Sequence, residues 1–128
     1  MRVGVIDAQG AGLAQAFIKM LRKESRNVEI IGLGTNKTAS ENMIKAGALE
    51  AVTGEESICE FLRREKLHCV VGPIGILCSG GIKGEITAGI SEVVLGLECT
   101  KYIIPIYKHG IYIPGTRKLQ LKEIFAEI

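Results

Sequence analysis

The sequence predicts a three-layer α/β/α sandwich around a mostly parallel sheet of five or six strands. Three observations predict it. Apolar runs of strand length alternate with stretches of helical periodicity along the whole chain. The strands are rich in Val and Ile, as a sheet buried on both faces requires. Glycines, 16 in all, gather where strands end. At 128 residues the chain suits one domain, residues 1–128, and leaves no room for a second catalytic one.

The elements follow in order. Val3 to Ile6 is the first strand. A helix from about Gly12 to Glu24 sets Leu13, Phe17, Met20 and Leu21 on one stripe and turns Lys19, Arg22 and Lys23 to water, while the small Ala14 and Ala16 let it lie close to the sheet. Val28 to Leu33 is the second strand; the helix after it runs to about Lys45, with Thr38 or Ser40 as its cap and Gly47 as its stop. A brief third strand ends at Thr53, and the next helix turns Ile58, Phe61 and Leu62 inward. "HCVVG" is strand four. Helix four, about Glu85 to Leu97, buries Ile86, Ile90, Val93, Val94 and Leu97. "KYIIPIY" is strand five, "IYI" at 111–113 a short sixth, and "LKEIFAEI" a last helix with Leu121, Ile124, Phe125 and Ile128 on one face. Right-handed crossovers then force a parallel sheet with helices on both sides.

Composition narrows the partners. The 16 Lys and Arg against 14 Asp and Glu give a charge of +2, scattered rather than clustered, which argues against a nucleic-acid or membrane-surface partner. Met1-Arg2 leads straight into strand one, and no run approaches the ~20 apolar residues of a membrane span, so the expected location is the cytoplasm. The four cysteines, Cys59, Cys69, Cys78 and Cys99, lack zinc or CxxC spacing; Cys59 and Cys69 read as core residues, and no metal site is expected. An apolar fraction of 47% on so small a domain favours a homo-oligomer, with a dimer expected.

Ligands of open α/β sheets bind beyond the carboxyl ends of the strands, where strand order reverses. The glycine-bearing turns sit at that end: Asp7 to Gly12, Gly32 to Lys37, Thr53-Gly54 and Gly72 to Gly84. In "VIDAQGAGLAQA", Gly10, Gly12 and Ala16 leave the backbone bare where strand passes to helix, and free N–H groups at the helix start attract an anion, so Gln9, Gly10, Ala11 and Gly12 are expected at the cofactor. The pattern is G-x-G-x-x-x-A, and Asp7 stands where the first fingerprint glycine would be. A carboxylate there repels a pyrophosphate unless neutralised, so Asp7 either accepts from a hydroxyl or amine, binds a metal with the phosphate, or caps the turn through backbone N–H groups. The second loop offers Gly34, Thr35, Asn36 and Lys37 without an acid, which suits the 2′-phosphate of NADP better than the ribose of NAD. Thr53 and the run Gly72, Pro73, Ile74 and Gly75 complete the expected cofactor surface, under a glycine-rich lid that carries Ser79, Lys83, Glu85 and Thr87.

For catalysis the candidates are Asp7, Glu85 and His109, with Lys83 or Lys108 supplying charge; Cys78 has no base at a telling distance, and His68 lies at the far end of the sheet. There is no P-loop, no Tyr-x-x-x-Lys pair, no G-x-S-x-G elbow and no acid cluster of a receiver domain.

The run "VIDAQGAGLA", followed in order by "GTN", "KAGA", "TGE", "VVGPIGI" and "GEIT", resembles a small uncharacterised bacterial family of Rossmann-like proteins, a domain of unknown function. The resemblance spans nearly the whole chain and implies the fold and the loops, with no activity. In that family the first loop is richer in glycine, where this chain has Ala8, Ala11 and Ala14. The expected function is binding of a nucleotide or dinucleotide, NADP before NAD. The alternatives are a small enzyme acting on an anionic metabolite, with its site completed across a homodimer, and a non-catalytic interaction or regulatory protein.

Overall fold

The computed structural model describes residues 1–106, 110–117 and 119–128. Five strands, β1 (Arg2–Asp7), β2 (Glu29–Gly34), β3 (Glu50–Thr53), β4 (Cys69–Pro73) and β5 (Thr100–Ile104), form one parallel sheet in the order β3-β2-β1-β4-β5. The chain first winds outward from β1 to β3, then crosses back to β4 on the other side of β1. Strand order therefore reverses between β1 and β4.

Alternation along the strands builds two cores. Val3, Val5, Ile30, Cys69 and Val71 point to one face, where α1 (Gly12–Glu24), α2 (Lys37–Ala46) and α5 (Leu121–Glu127) cover them through Phe17, Ile18, Met43 and Phe125. Ile6, Ile31, Leu33 and Val70 point to the other, under Ile58, Phe61 and Leu62 of α3 (Glu55–Arg64) and Ile90 and Val94 of α4 (Ala88–Leu95). Phe17 and Phe125 meet edge to face, centroids 5.3 Å apart at 72°, and this pair docks α5 on α1. Cys59 and Cys69 are buried core residues. Among the described residues, no helix is long and apolar enough to cross a membrane.

Several expectations are corrected. The sheet has five strands among the described residues: β5 stops at Ile104 because Pro105 has no N–H for the ladder, and of "IYI" only Ile111 forms an isolated bridge. Helix α4 begins at Ala88 rather than near Glu85, because the Thr87 hydroxyl caps it by accepting from the Ile90 N–H at 3.2 Å. Asn36, not Thr38 or Ser40, caps α2, accepting from Ala39 N–H at 2.8 Å. On α1, Ala14 is buried against the sheet while Ala16 is exposed; on α5, Leu121 is exposed.

The close approach of α2 to β2 rests on Gly34. A Cβ there would lie 2.5 Å from Ser40 Oγ and 2.7 Å from the Ser40 backbone N, so the backbone itself would have to shift. Gly34→Ala is expected to lower stability by about 1–3 kcal/mol, the usual cost of overpacking, measured by urea denaturation. An unchanged midpoint would mean that the β2–α2 contact is looser than described.

Candidate functional site

The site is built by three loops at the carboxyl ends of β1, β2 and β4. In the first, Asp7 closes β1 at 6% exposure. Its Oδ1 accepts from Ala8 N–H at 2.8 Å and its Oδ2 from Ala14 N–H at 3.1 Å, in the first turn of α1. The carboxylate thus caps the helix from the strand, compensating its own burial with two charge-assisted bonds and the positive end of the helix dipole. To fold back on Asp7 the chain places Gln9 (φ 52) and Ala11 (φ 55) in the left-handed region. The intervening Gly10 carbonyl accepts from Gln15 Nε2 at 2.8 Å and Asn42 Nδ2 at 3.0 Å. Ala11 N–H bonds Ala8 O, whereas the amides of Gly10, Gly12 and Leu13 have no acceptor among the described residues, and a Cβ at Gly10 or Gly12 would meet open space.

Glu85 joins the three loops. From the segment after β4 its Oε1 accepts from Thr35 Oγ1 at 2.6 Å, Asn36 Nδ2 at 2.8 Å and Gln9 N–H at 3.1 Å. Asn36 Nδ2 also reaches Gln9 O at 3.0 Å. Burial pushes the Glu85 carboxyl up, but the bonds from Thr35, Asn36 and the Gln9 amide together outweigh it and hold its pKa below the ordinary value.

Between β1 and β4 lies a cleft of about 160 Å³, lined by Asp7 to Leu13, Pro73 to Gly75, Ile82 and Ile106. Ile82 (φ 50) and Lys83 (φ 53) are left-handed, and for a β-branched residue that conformation is strained by about 1–3 kcal/mol.

Of the residues read from the sequence, Asp7, Gln9, Gly10, Ala11, Gly12, Pro73, Ile74 and Gly75 come together in this cleft. Gly34, Thr35, Asn36, Lys37, Thr53 and Gly72 lie outside it. Thr35 and Asn36 hold Glu85. Lys37 points to water, its side chain 87% exposed and 3.8 Å from Glu41. Thr53 Oγ1 donates to Ser40 Oγ at 2.7 Å, and Gly72 leaves room for Ile76 and the Ile6 carbonyl beside it. Cys78 is partly buried, its thiol 3.9 Å from Ile74 O; Lys83 is exposed. His109 and Lys108 lie outside the described residues. No group of three or more His, Cys, Asp or Glu suited to a metal occurs among the described residues. Sequence reasoning missed Ile82 and Ile106 as cleft residues: Ile82 is an isolated apolar residue in a loop, and Ile106 read as part of strand five.

Sheet order and crevice define the class: a doubly wound, Rossmann-like α/β domain whose crevice sits at the topological switch point. Within it the chain belongs to the family described as Domain of unknown function (DUF3842), matched over residues 2–128. No curated protein matches it. Among solved structures it is similar in fold to a dodecameric FMN-dependent UbiX-like decarboxylase from Escherichia coli O157:H7, with a TM-score of 0.54 and 16% identity over 99% of this chain and 71% of that one.

Two predictions follow from the carboxylates. Asp7→Ala leaves two amides without an acceptor and is expected to cost about 2 kcal/mol in urea denaturation, with Asp7→Asn in between; a neutral Asp7→Ala would remove the cap. Because the folded pKa of Glu85 is depressed, its contribution is complete above the ordinary value of 4.5 and is lost as pH falls through the lower folded value. The stability difference between wild type and Glu85→Gln should therefore be largest at neutral pH and shrink in acid. A difference constant from pH 7 to pH 3 would contradict the clasp.

Proposed function

We propose that the protein binds a phosphorylated mononucleotide of the flavin mononucleotide type at the β1/β4 switch point. The observation that carries this reading is the set of acceptor-free amides, Gly10, Gly12 and Leu13, lining the cleft where a phosphate on a helix N-terminus would be received. Asp7 does not oppose it, since both its oxygens are engaged by backbone amides. The fold likeness to an FMN-dependent protein supports the same choice.

The cleft is smaller than the roughly 300–1,000 Å³ typical of ligand pockets, so it takes the phosphate and adjoining atoms only. Ile106, however, also lines a neighbouring apolar groove of about 440 Å³ with Pro105, Tyr112, Leu119 and Leu121, which suits a flat ring system. Tyr112, Ile113, Leu119 and Leu121 stand exposed around it, and a second copy of the chain covering them would close the site as a homo-oligomer. A 2′-phosphate of NADP fits poorly: the second loop already holds the Glu85 carboxylate, and Lys37 is turned away.

Thermal melts and flavin fluorescence with FMN, riboflavin, NAD and NADP test this. FMN at 100 times its dissociation constant should stabilise by about 2.7 kcal/mol, riboflavin far less and NADP not at all at the same concentration. Gly12→Trp, placed where a side chain meets open space, should abolish the FMN shift without unfolding the protein. Stabilisation by NADP but not FMN, or by no phosphorylated compound, would refute the reading.

A further inference from the structure

We infer that Asn36 is a positioning residue for the crevice: its side-chain amide holds the peptide between Gln9 and Gly10 in the one orientation that turns the Gly10 N–H toward the β1/β4 cleft. The inference rests on the nucleotide reading above for what that N–H receives.

Ala8 to Ala11 form a turn, closed by Ala11 N–H to Ala8 O at 2.9 Å, with Gln9 and Gly10 at its centre. Gln9 is left-handed (φ 52) and Gly10 is not, the pattern of a type II′ turn. That pattern favours glycine at its first central position, which Gln9 occupies. With glycine at the second, the sequence suits the type I′ form, in which both central residues are left-handed. The two forms differ by rotation of the central peptide, so the turn needs something outside it to choose between them.

The peptides on either side are fixed. Gln9 N–H donates to Glu85 Oε1 at 3.1 Å, and Gly10 O accepts from Gln15 Nε2 at 2.8 Å and Asn42 Nδ2 at 3.0 Å. The central peptide is held at one point: Gln9 O accepts from Asn36 Nδ2 at 3.0 Å, while Gly10 N–H has no acceptor among the described residues. Asn36 follows β2, on the far side of β1 from β4. Because the peptide is trans, its N–H points opposite to its carbonyl, away from the β2 flank and toward the β4 side, where the cleft lies. Rotation would exchange the two ends and aim Gln9 O, the negative end of the peptide dipole, at the cleft. Only the Asn36 bond to Gln9 O opposes it. Asn36 is itself anchored, since its Oδ1 caps α2 by accepting from Ala39 N–H at 2.8 Å and leaves Nδ2 directed at the first loop.

Serine caps a helix as well as asparagine does but is too short to hold Gln9 O, so Asn36→Ser keeps the cap and releases the peptide. In crystal structures without ligand, Gln9 O should face Asn36 in the wild type and turn toward the cleft in Asn36→Ser. In fluorescence titrations the variant's affinity for FMN should fall about tenfold, the worth of one hydrogen bond, and its affinity for riboflavin, which has no phosphate, far less. Thr35→Val, which also removes a donor from Glu85 but leaves Gln9 O held, should lose less FMN affinity than Asn36→Ser. An unrotated peptide in Asn36→Ser overturns the assignment. So do equal losses for FMN and riboflavin, or an equal FMN loss in Thr35→Val. If the wild type binds no FMN, the nucleotide reading fails, and the crystal structures alone decide whether Asn36 sets the peptide.

Discussion

A carboxylate buried at the end of the central strand must find donors, and that requirement shapes the functional end of this molecule. Asp7 finds them in the amides of Ala8 and Ala14, six residues apart. To bring both to one side chain the backbone must reverse tightly, which accounts for the left-handed Gln9 and Ala11. It also fixes where α1 starts and how closely Ala14 meets the sheet. A solvated Asp would impose none of this; an unpaired buried one would cost several kcal/mol.

The same constraint distributes the remaining polar groups. Because Asp7 takes the amide of Ala14, the amides one and two positions earlier in α1 are left facing the β1/β4 crevice, where the sheet topology already opens a gap. Glu85 then occupies the other flank. By accepting from Gln9, Thr35 and Asn36 it binds together loops that follow strands β1 and β2, and it arrives from the segment after β4, so one side chain links the two halves of the doubly wound fold. The capping of α2 by Asn36 belongs to this arrangement, since the residue that caps the helix with its Oδ1 offers its Nδ2 to Glu85.

Much of the fold was legible in the sequence because it depends on local periodicity. Val3 to Ile6, the Gly12–Glu24 helix and the Gly47 stop all follow from patterns within one element. What depended on distant partners was not legible. Ile86 fits the stripe of Ile90 and Val94 and is buried as that stripe requires, yet it lies in a loop, because Thr87 ends the helix by capping it. Glu85 stood out as an acid near glycines, but nothing within ten residues indicates that it reaches Thr35, 50 positions away. The second loop read as a cationic pocket for the same reason: sequence shows Lys37 and the hydroxyls, and only the fold brings an acid among them and turns Lys37 to water.

Charge therefore distinguishes the two flanks of the crevice. On the β2 flank the Glu85 carboxylate, through Oε1, already engages Thr35, Asn36 and the Gln9 amide, so an incoming anion would meet a negative charge there. On the β4 flank, Asp7 is compensated by the backbone and the unused amides of Gly10, Gly12 and Leu13 remain. On the reading proposed above, the anion would be received by these backbone amides, whose dipoles act over one turn of helix. On that proposal, a site with that reach would accommodate one phosphate. A pyrophosphate spanning both flanks would have to displace Glu85, which is why we propose a mononucleotide rather than the dinucleotide that the fold alone suggests.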